Sequence, residues 1–191
     1  MNGPFVDAVA RADLFEIYVA LWKTASIEGA FVHYEGRGER GEAGWFHPRD
    51  ELAGPEIVIV RPFYGNATEP SDSRTDGQPV DLQSELVTLA HEYGHFRSWS
   101  DDRPRWNAYY AALLHRDRVY DDAVGDDAAR WLEVARRLSL EEKHLILQEE
   151  ERAWTTGRAH VPGWLLAGYD VSATAGVEEH RARLFAAPGD P

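Results

Sequence analysis

Two histidines lie four residues apart in the segment LAHEYGHFRS, residues 89–98, and a glutamate directly follows the first of them. Residues at this spacing lie on the same face of a helix, so the imidazoles of His91 and His95 can reach one metal ion. Glu92 lies on the flank of that line, where a carboxylate can take a proton from metal-bound water instead of binding the ion. The H-E-x-x-H pattern therefore predicts a metal site on a helix.

The residues around this motif have the spacing of a helix that is buried along one side. Over residues 82–98, at roughly 100° per residue, the large apolar side chains fall in one narrow stripe, and His91 and His95 project nearly opposite to it. The stripe consists of Leu82, Leu86, Leu89, Tyr93 and Phe96. Gly94 leaves room beside the two imidazoles. The alternative is a helix with two surface histidines, but the complete motif opposite a clean apolar stripe favours a metal site.

A third ligand is expected elsewhere in the chain, because catalytic zinc sites normally have three protein ligands and a water. The sequence contains no cysteine, so the ligand must be His, Asp or Glu. The segment QEEERAW offers Glu149, Glu150 and Glu151 on a predicted helix over Leu140–Gly157. Glu150 projects from the centre of the apolar face of this helix, and the other two lie on opposite flanks. We expect Glu150 to be the third ligand, with Glu149 or Glu151 as alternatives.

The position of Glu150 also predicts which helix lies next to it. A carboxylate at the centre of a buried face is costly unless it is paired or binds a metal. Ala153 and Gly157 are small enough to allow another helix to approach closely, and the helix with the two histidines is the natural candidate. The alternatives are an ion pair between Glu150 and an arginine, or a partly exposed helix face.

The fold class expected from the remaining pattern is α+β, with a small antiparallel or mixed sheet packed on the metal-bearing helix and a mainly helical C-terminal half. The runs AFVHYEG, GWFHP and EIVIVRPFY are rich in β-branched and aromatic residues, and we read them as three antiparallel strands. A helix over residues 5–24 precedes them. Helices are also predicted behind Pro104, behind the acidic residues at 126–127, and behind Ser139, which forms a capping box with Glu142.

The length of 191 residues and an apolar share of 43% are those of a single domain with a proper core. Within the domain 1–191, residues 1–80 should contain the first helix, the sheet and an exposed loop at 65–80. Residues 81–161 form the helical metal-site region. Residues 162–191 have mixed signals, which we interpret as a short terminal helix and a loose tail.

The charge of the chain narrows the choice of partners. It carries 33 acidic against 20 basic residues, a formal net charge of −13, whereas nucleic-acid binding relies on clustered Lys and Arg. The N-terminal segment has charged residues within its apolar pattern, which is unlike a signal peptide or a membrane span. We expect a cytoplasmic protein that binds neither nucleic acid nor membrane. The sequence does not indicate an oligomeric state.

The motif and the later glutamate resemble the gluzincin branch of zinc metallopeptidases, in which an H-E-x-x-H helix is joined by a glutamate from a later helix. The match is confined to His91–His95 and to Glu150–Trp154. The preceding segment EIVIV looks like the substrate-side strand of a zincin sheet. The pattern H-E-x-G-H followed by a Glu and Ala helix is similar to compact intracellular zincins of the ImmA and IrrE type. The metzincin extension is missing after His95.

This resemblance implies a zinc metallopeptidase that cleaves a peptide or protein substrate. Zn²⁺ would be bound by His91, His95 and Glu150, and Glu92 would be the general base. The alternative is a catalytically silent zincin-like module that binds metal or another protein. A donor for the oxyanion is also required, and the sequence does not rank the four candidates. They are Tyr109, Arg158, His160 and Tyr169.

Overall fold

The computed structural model describes residues 4–36, 43–48, 54–61 and 81–186. The elements in chain order are α1 Pro4–Ile27, β1 Phe31–Glu35, β2 Gly44–His47, β3 Glu56–Val60, α2 Leu82–Asp101, α3 Arg103–Asp122, α4 Asp127–Arg137, α5 Leu140–Gly157, a short 3₁₀ turn Arg158–His160, and α6 Leu166–Leu184. The loop expected at 65–80 and most of the expected tail lie outside the described residues. No helix in the described part of the chain has the length and apolar character needed to cross a membrane.

The three strands form a small mixed sheet in the order β1-β3-β2. β3 pairs with β1 in parallel, with Val58 opposite His33, and with β2 in antiparallel orientation, with Val58 opposite Trp45. The predicted α+β class is thus confirmed, whereas the antiparallel reading is wrong for β1 and β3. In chain order β2 comes between β1 and β3, but in the described sheet it pairs with β3 at the edge. β3 therefore lies between the other two strands and runs in the same direction as β1. Strand composition alone does not determine this direction.

The central strand is β3, whose EIVIV sequence is almost entirely buried. Because it pairs with a neighbour on each side, it has no edge to offer to a substrate. The expectation that EIVIV is the substrate-side strand is therefore wrong. Its continuous apolar sequence is that of a strand covered on both faces.

Helices α1 and α2 pack together with the sheet to form the main core. Tyr18 and Trp22 of α1 are buried here together with Tyr34 of β1 and Ile57 of β3. The stripe predicted on α2 is buried along its whole length, as Leu82, Leu86, Leu89, Tyr93 and Phe96 each have at most 2% of their surface exposed. This side anchors the helix, so the motif residues on the other side are held in a fixed orientation.

Helices α5 and α2 pack so closely that their backbones are in contact. A Cβ atom added to Gly94 would lie 2.1 Å from the carbonyl oxygen of Ala153, and one added to Gly157 would lie 2.2 Å from that of Ala90. Real Cβ atoms do not approach backbone so closely, so both positions require glycine. The prediction that small residues of α5 allow it to approach the metal-bearing helix is confirmed. The capping box at Ser139 is also confirmed.

The C-terminal segment is better ordered than the sequence indicated, because α6 continues as one helix over Leu166–Leu184. The expectation of mixed structure with only a short helix is wrong for these residues. The helix buries only Tyr169 and Leu184, so it lacks the apolar stripe by which helices are recognised in a sequence. Tertiary contacts hold it instead, including a 2.8 Å hydrogen bond from the Tyr169 hydroxyl to the carbonyl oxygen of Trp154.

Candidate metal centre

The two motif histidines are held by aromatic side chains from neighbouring helices. The His91 ring stacks on Trp154 of α5 with centroids 4.1 Å apart. The His95 ring lies parallel to Tyr109 of α3 and meets Trp106 edge-on, each about 6 Å away. Three helices therefore fix the direction of the two imidazoles.

His91, Glu92 and His95 form a group that can hold a metal ion. Each residue offers one nitrogen or oxygen atom, and these atoms lie within 4.8 Å of one another. Glu92 and His95 are buried, and the His91 side chain is 12% exposed. Imidazole nitrogens and carboxylate oxygens are the donors available for metal binding in a chain without cysteine.

Glu150 faces the same histidines from α5. Its Oε2 atom lies 3.5 Å from Nε2 of His91 and 3.7 Å from Nε2 of His95, with only 5% of the residue exposed. Burial raises the pKa of this carboxyl group, but the nearby His180 and His95 outweigh that effect and hold its pKa well below the usual range. Glu150 is thus a buried carboxylate in its charged form. The predicted ligand set of His91, His95 and Glu150 is brought together in one place.

Glu149 is also part of this cluster, contrary to its expected position on an outer flank of α5. It is 1% exposed, and its Oε1 atom lies 3.4 Å from Nδ1 of His95. Helix α3 packs over this flank of α5, as seen where Arg105 donates a 3.4 Å hydrogen bond to the Gln148 carbonyl oxygen. A helical projection of α5 alone cannot show that α3 packs over Glu149. Glu151 fits the prediction for a flank residue, since it is exposed and lies 3.5 Å from Arg181.

The carboxylate of Glu92 is held between α2 and β2. It accepts a hydrogen bond from the backbone N–H of Phe46, and its Oε1 atom lies 4.0 Å from Nε2 of His91. Burial raises the pKa of Glu92 above its ordinary value, against the lowering effect of His91 and His95. Glu92 is therefore a buried carboxylate with increased proton affinity, directly beside the histidines.

The structure adds a histidine that the sequence did not single out. His180 of α6 has its Nε2 atom 3.8 Å from Oε2 of Glu150 and lines the same cavity. Its sequence neighbourhood, EEHRARL, contains no recognisable ligand motif. Only the packing of α6 on α5 reveals it.

These side chains line a cavity of about 690 Å³. β2, the edge strand of the described sheet, contributes Trp45, Phe46 and His47 to the lining, and α3 contributes Tyr109 and Arg116. The cavity has the size of a small-ligand or peptide site. The edge strand β2 and the group of His91, Glu92 and His95 therefore line the same cavity.

Of the four residues considered for stabilising the oxyanion, Tyr109 lines this cavity and the other three do not. Tyr169 donates its hydroxyl to the Trp154 carbonyl outside the lining. Arg158 is exposed and paired with Asp170 at 2.7 Å, and the His160 ring lies edge-on to Tyr93. Burial raises the pKa of Tyr109 well above its ordinary value, so its hydroxyl stays protonated and able to donate. Tyr109 is the one of the four placed to act on a bound ligand.

Several polar atoms of the cluster have no hydrogen-bond partner among the described residues. They are Nδ1 of His91, Nδ1 of His95 and both carboxylate oxygens of Glu149. Buried polar groups are normally paired, so a concentration of unpaired atoms needs an explanation. A divalent cation bound by Nε2 of each histidine and by Glu150 would fit this donor set, because the proton of each neutral ring would then lie on Nδ1, and Nδ1 of His95 is 3.4 Å from Oε1 of Glu149.

No protein-family model, curated protein or solved structure matches this chain. The zincin resemblance of the motif therefore stays a prediction. What the protein does must be inferred from the geometry and chemistry of its own residues.

Proposed function

We propose that this protein is a zinc-dependent peptidase in which His91, His95 and Glu150 bind Zn²⁺ and Glu92 is the general base. The supporting observation is the Glu150 carboxylate, which reaches from α5 to within 3.5 and 3.7 Å of the two Nε2 atoms on α2. Two imidazoles and one carboxylate are a usual protein ligand set of hydrolytic zinc. When bound, zinc would lower the pKa of water to about 7 and polarise a peptide carbonyl.

Glu92 has the position and the proton affinity required of a general base. The Phe46 N–H holds the carboxylate beside the histidines, and burial raises the pKa of Glu92 above its ordinary value, which increases its affinity for a proton. Glu92 would take a proton from the attacking water and return it to the leaving amine. A closed structural metal site would have no use for this carboxylate.

The strand β2 is the expected binding site for the peptide backbone. It is an edge strand of the described sheet, and Trp45, Phe46 and His47 line the cavity beside the metal-binding residues. An extended peptide can pair with such an edge through main-chain hydrogen bonds, which require no particular side chains. This arrangement would place a peptide carbonyl between the metal and Tyr109, whose protonated hydroxyl can stabilise the oxyanion.

The test is cleavage of a mixed peptide library, followed by mass spectrometry, with zinc-loaded wild type, Glu92→Gln and Glu151→Gln. Glu92→Gln should lose about 10²–10⁴-fold in rate because it removes the general base. Glu151→Gln changes an exposed carboxylate on α5 and should cleave like wild type. Metal content is measured in parallel and should be the same in all three proteins.

Two results would reject the peptidase. Equal cleavage by Glu92→Gln and wild type would show that Glu92 is not the base. Zinc bound with no cleavage by any of the three proteins would instead favour a catalytically silent metal-binding or protein-interaction module.

A further inference from the structure

Three histidine nitrogens surround a single carboxylate oxygen in this cluster. Oε2 of Glu150 lies 3.5 Å from Nε2 of His91, 3.7 Å from Nε2 of His95 and 3.8 Å from Nε2 of His180. Each of the three rings thus turns its Nε2 atom toward the same oxygen. The third ring comes from α6, an element that carries no part of the motif.

The distances from His95 and His180 are too long for direct hydrogen bonds, and all three distances are close to the spacing of two ligands of one ion. Hydrogen bonds between nitrogen and oxygen span 2.7–3.2 Å, so 3.8 Å is too long. Two ligands of a tetrahedral zinc, each about 2.0–2.1 Å from it, lie about 3.3–3.4 Å apart. The distance from His180 to Glu150 exceeds that from the motif residue His95 by only 0.1 Å, the difference between 3.8 and 3.7 Å.

The packing of α6 explains why His180 reaches the site. Gly176, one helical turn before His180, lies against the Trp154 indole, and an added Cβ there would be 3.3 Å from a ring carbon. Trp154 in turn stacks on His91. The small residue therefore allows α6 to pass closely over the aromatic ring that supports the first motif histidine, which brings His180 above Glu150.

We propose that His180 is a further ligand of the metal, so that the site has three imidazoles and one carboxylate. This inference depends on the metal site of the proposed function but not on peptide hydrolysis. A four-coordinate zinc has one position beyond His91, His95 and Glu150, so His180 and water compete for it. Helix α6 would then control whether water reaches the metal.

The decisive variant is His180→Cys, read out with Co²⁺ in place of zinc. A thiolate is a strong ligand, and a thiolate bound to Co²⁺ gives an intense near-ultraviolet charge-transfer band. The natural chain has no cysteine, so any such band must come from position 180. We expect the band in His180→Cys and not in wild type.

The second measurement is zinc affinity by competition with a chromogenic chelator. His180→Ala should bind Zn²⁺ at least about 10-fold more weakly, because even outer partners of metal ligands contribute 10–100-fold. His144→Ala is the matched control, since His144 is exposed on α5 and does not line the cavity. It should keep wild-type affinity. Circular dichroism of the metal-free proteins checks that each variant folds.

The outcomes separate this inference from the proposed enzymatic function. Absence of the band in His180→Cys, together with wild-type zinc affinity in His180→Ala, would overturn the assignment of His180 as a ligand. Glu92→Gln should bind zinc like wild type, so the ligand assignment is tested even if no peptide is cleaved. A protein that cleaves peptides, shows no band in His180→Cys and keeps wild-type zinc affinity in His180→Ala would retain the proposed function and reject only the role of His180.

Discussion

Two clusters of charged and polar side chains each include residues of α2, and they differ in how fully their polar groups are paired. The first, which we term the Arg61 cluster, consists of Tyr18, Tyr34, Arg61 and Glu85. The second, the metal-site cluster, consists of His91, Glu92, His95, Glu149, Glu150 and His180. Both contain side chains that are rarely buried without partners.

The charges of the Arg61 cluster are paired among the described residues. The guanidinium of Arg61 donates to Glu85 through Nε at 2.9 Å and through Nη2, and it donates to the Tyr34 hydroxyl at 2.9 Å. Tyr18 donates to Tyr34 at 3.0 Å. The Arg61 guanidinium faces the Glu85 carboxylate, and the two tyrosine hydroxyls extend the same network. Such a network stabilises the fold.

The charges of the metal-site cluster are not paired in this way. The cluster buries three carboxylates, on Glu92, Glu149 and Glu150, next to the imidazoles of His91, His95 and His180. The proximity of Glu150 and Glu149 raises the pKa of His95 to about 10 even though burial acts in the opposite direction, so this ring takes up a proton in the metal-free protein. This difference supports the proposal that the second cluster binds a metal ion.

The largest expected effect is a loss of stability when the Arg61 cluster is broken. Arg61→Met leaves Glu85 buried without its main partner and should lower the free energy of unfolding by about 3–5 kcal/mol, the cost of breaking a buried ion pair. Urea denaturation followed by tryptophan fluorescence measures this loss. Arg158→Met is the control, because its pair with Asp170 is exposed and should contribute little to stability. A loss below about 1 kcal/mol for Arg61→Met would contradict a structural role for its cluster.

The next effect concerns the helix contact that holds the metal-site cluster together. Gly94→Ala would place a methyl group 2.1 Å from the Ala153 carbonyl, so α2 and α5 must move apart. We expect a loss of about 1–3 kcal/mol or more in unfolding free energy, and weaker zinc binding in the same variant. Gly163→Ala is the matched substitution, since nothing lies within 4 Å of its added Cβ. The idea of a required close contact fails if the two variants behave alike.

The smallest effect is expected at Glu149, which contacts the site through His95. Glu149→Gln should weaken Zn²⁺ binding by about 10–100-fold, because a carboxylate at Nδ1 orients the ring and increases the basicity of Nε2. Glu151→Gln, two positions along α5 and exposed, should leave the affinity unchanged. Chelator competition measures both variants. Equal affinities in the two variants would mean that Glu149 does not position His95.

The sequence predicted those parts of the site that follow from the geometry of single helices. The stripe on α2 and the central position of Glu150 on α5 are both patterns with a 3.6-residue period, and Ala153 with Gly157 indicated the close packing of these helices. His91, His95 and Glu150 could therefore be placed together before the fold was known. The strands were also recognisable from their composition.

The remaining features depend on contacts between elements distant in sequence. A helical projection of α5 alone does not show that α3 packs over Glu149 and buries it. His180 could not be found because α6 buries only Tyr169 and Leu184, which is too little for a periodic signal. The parallel pairing of β1 with β3 depends on where the chain places β2, and composition does not determine that.

The most direct test of the metal site is calorimetric titration of the chelator-treated protein with Zn²⁺. Wild type and Glu151→Gln should each bind one zinc ion per chain with high affinity. Glu150→Gln should lose this binding, because it removes a charged ligand while preserving the shape of the side chain. Equal zinc binding by Glu150→Gln and wild type, or no high-affinity binding by wild type, would contradict a metal centre at the junction of α2 and α5.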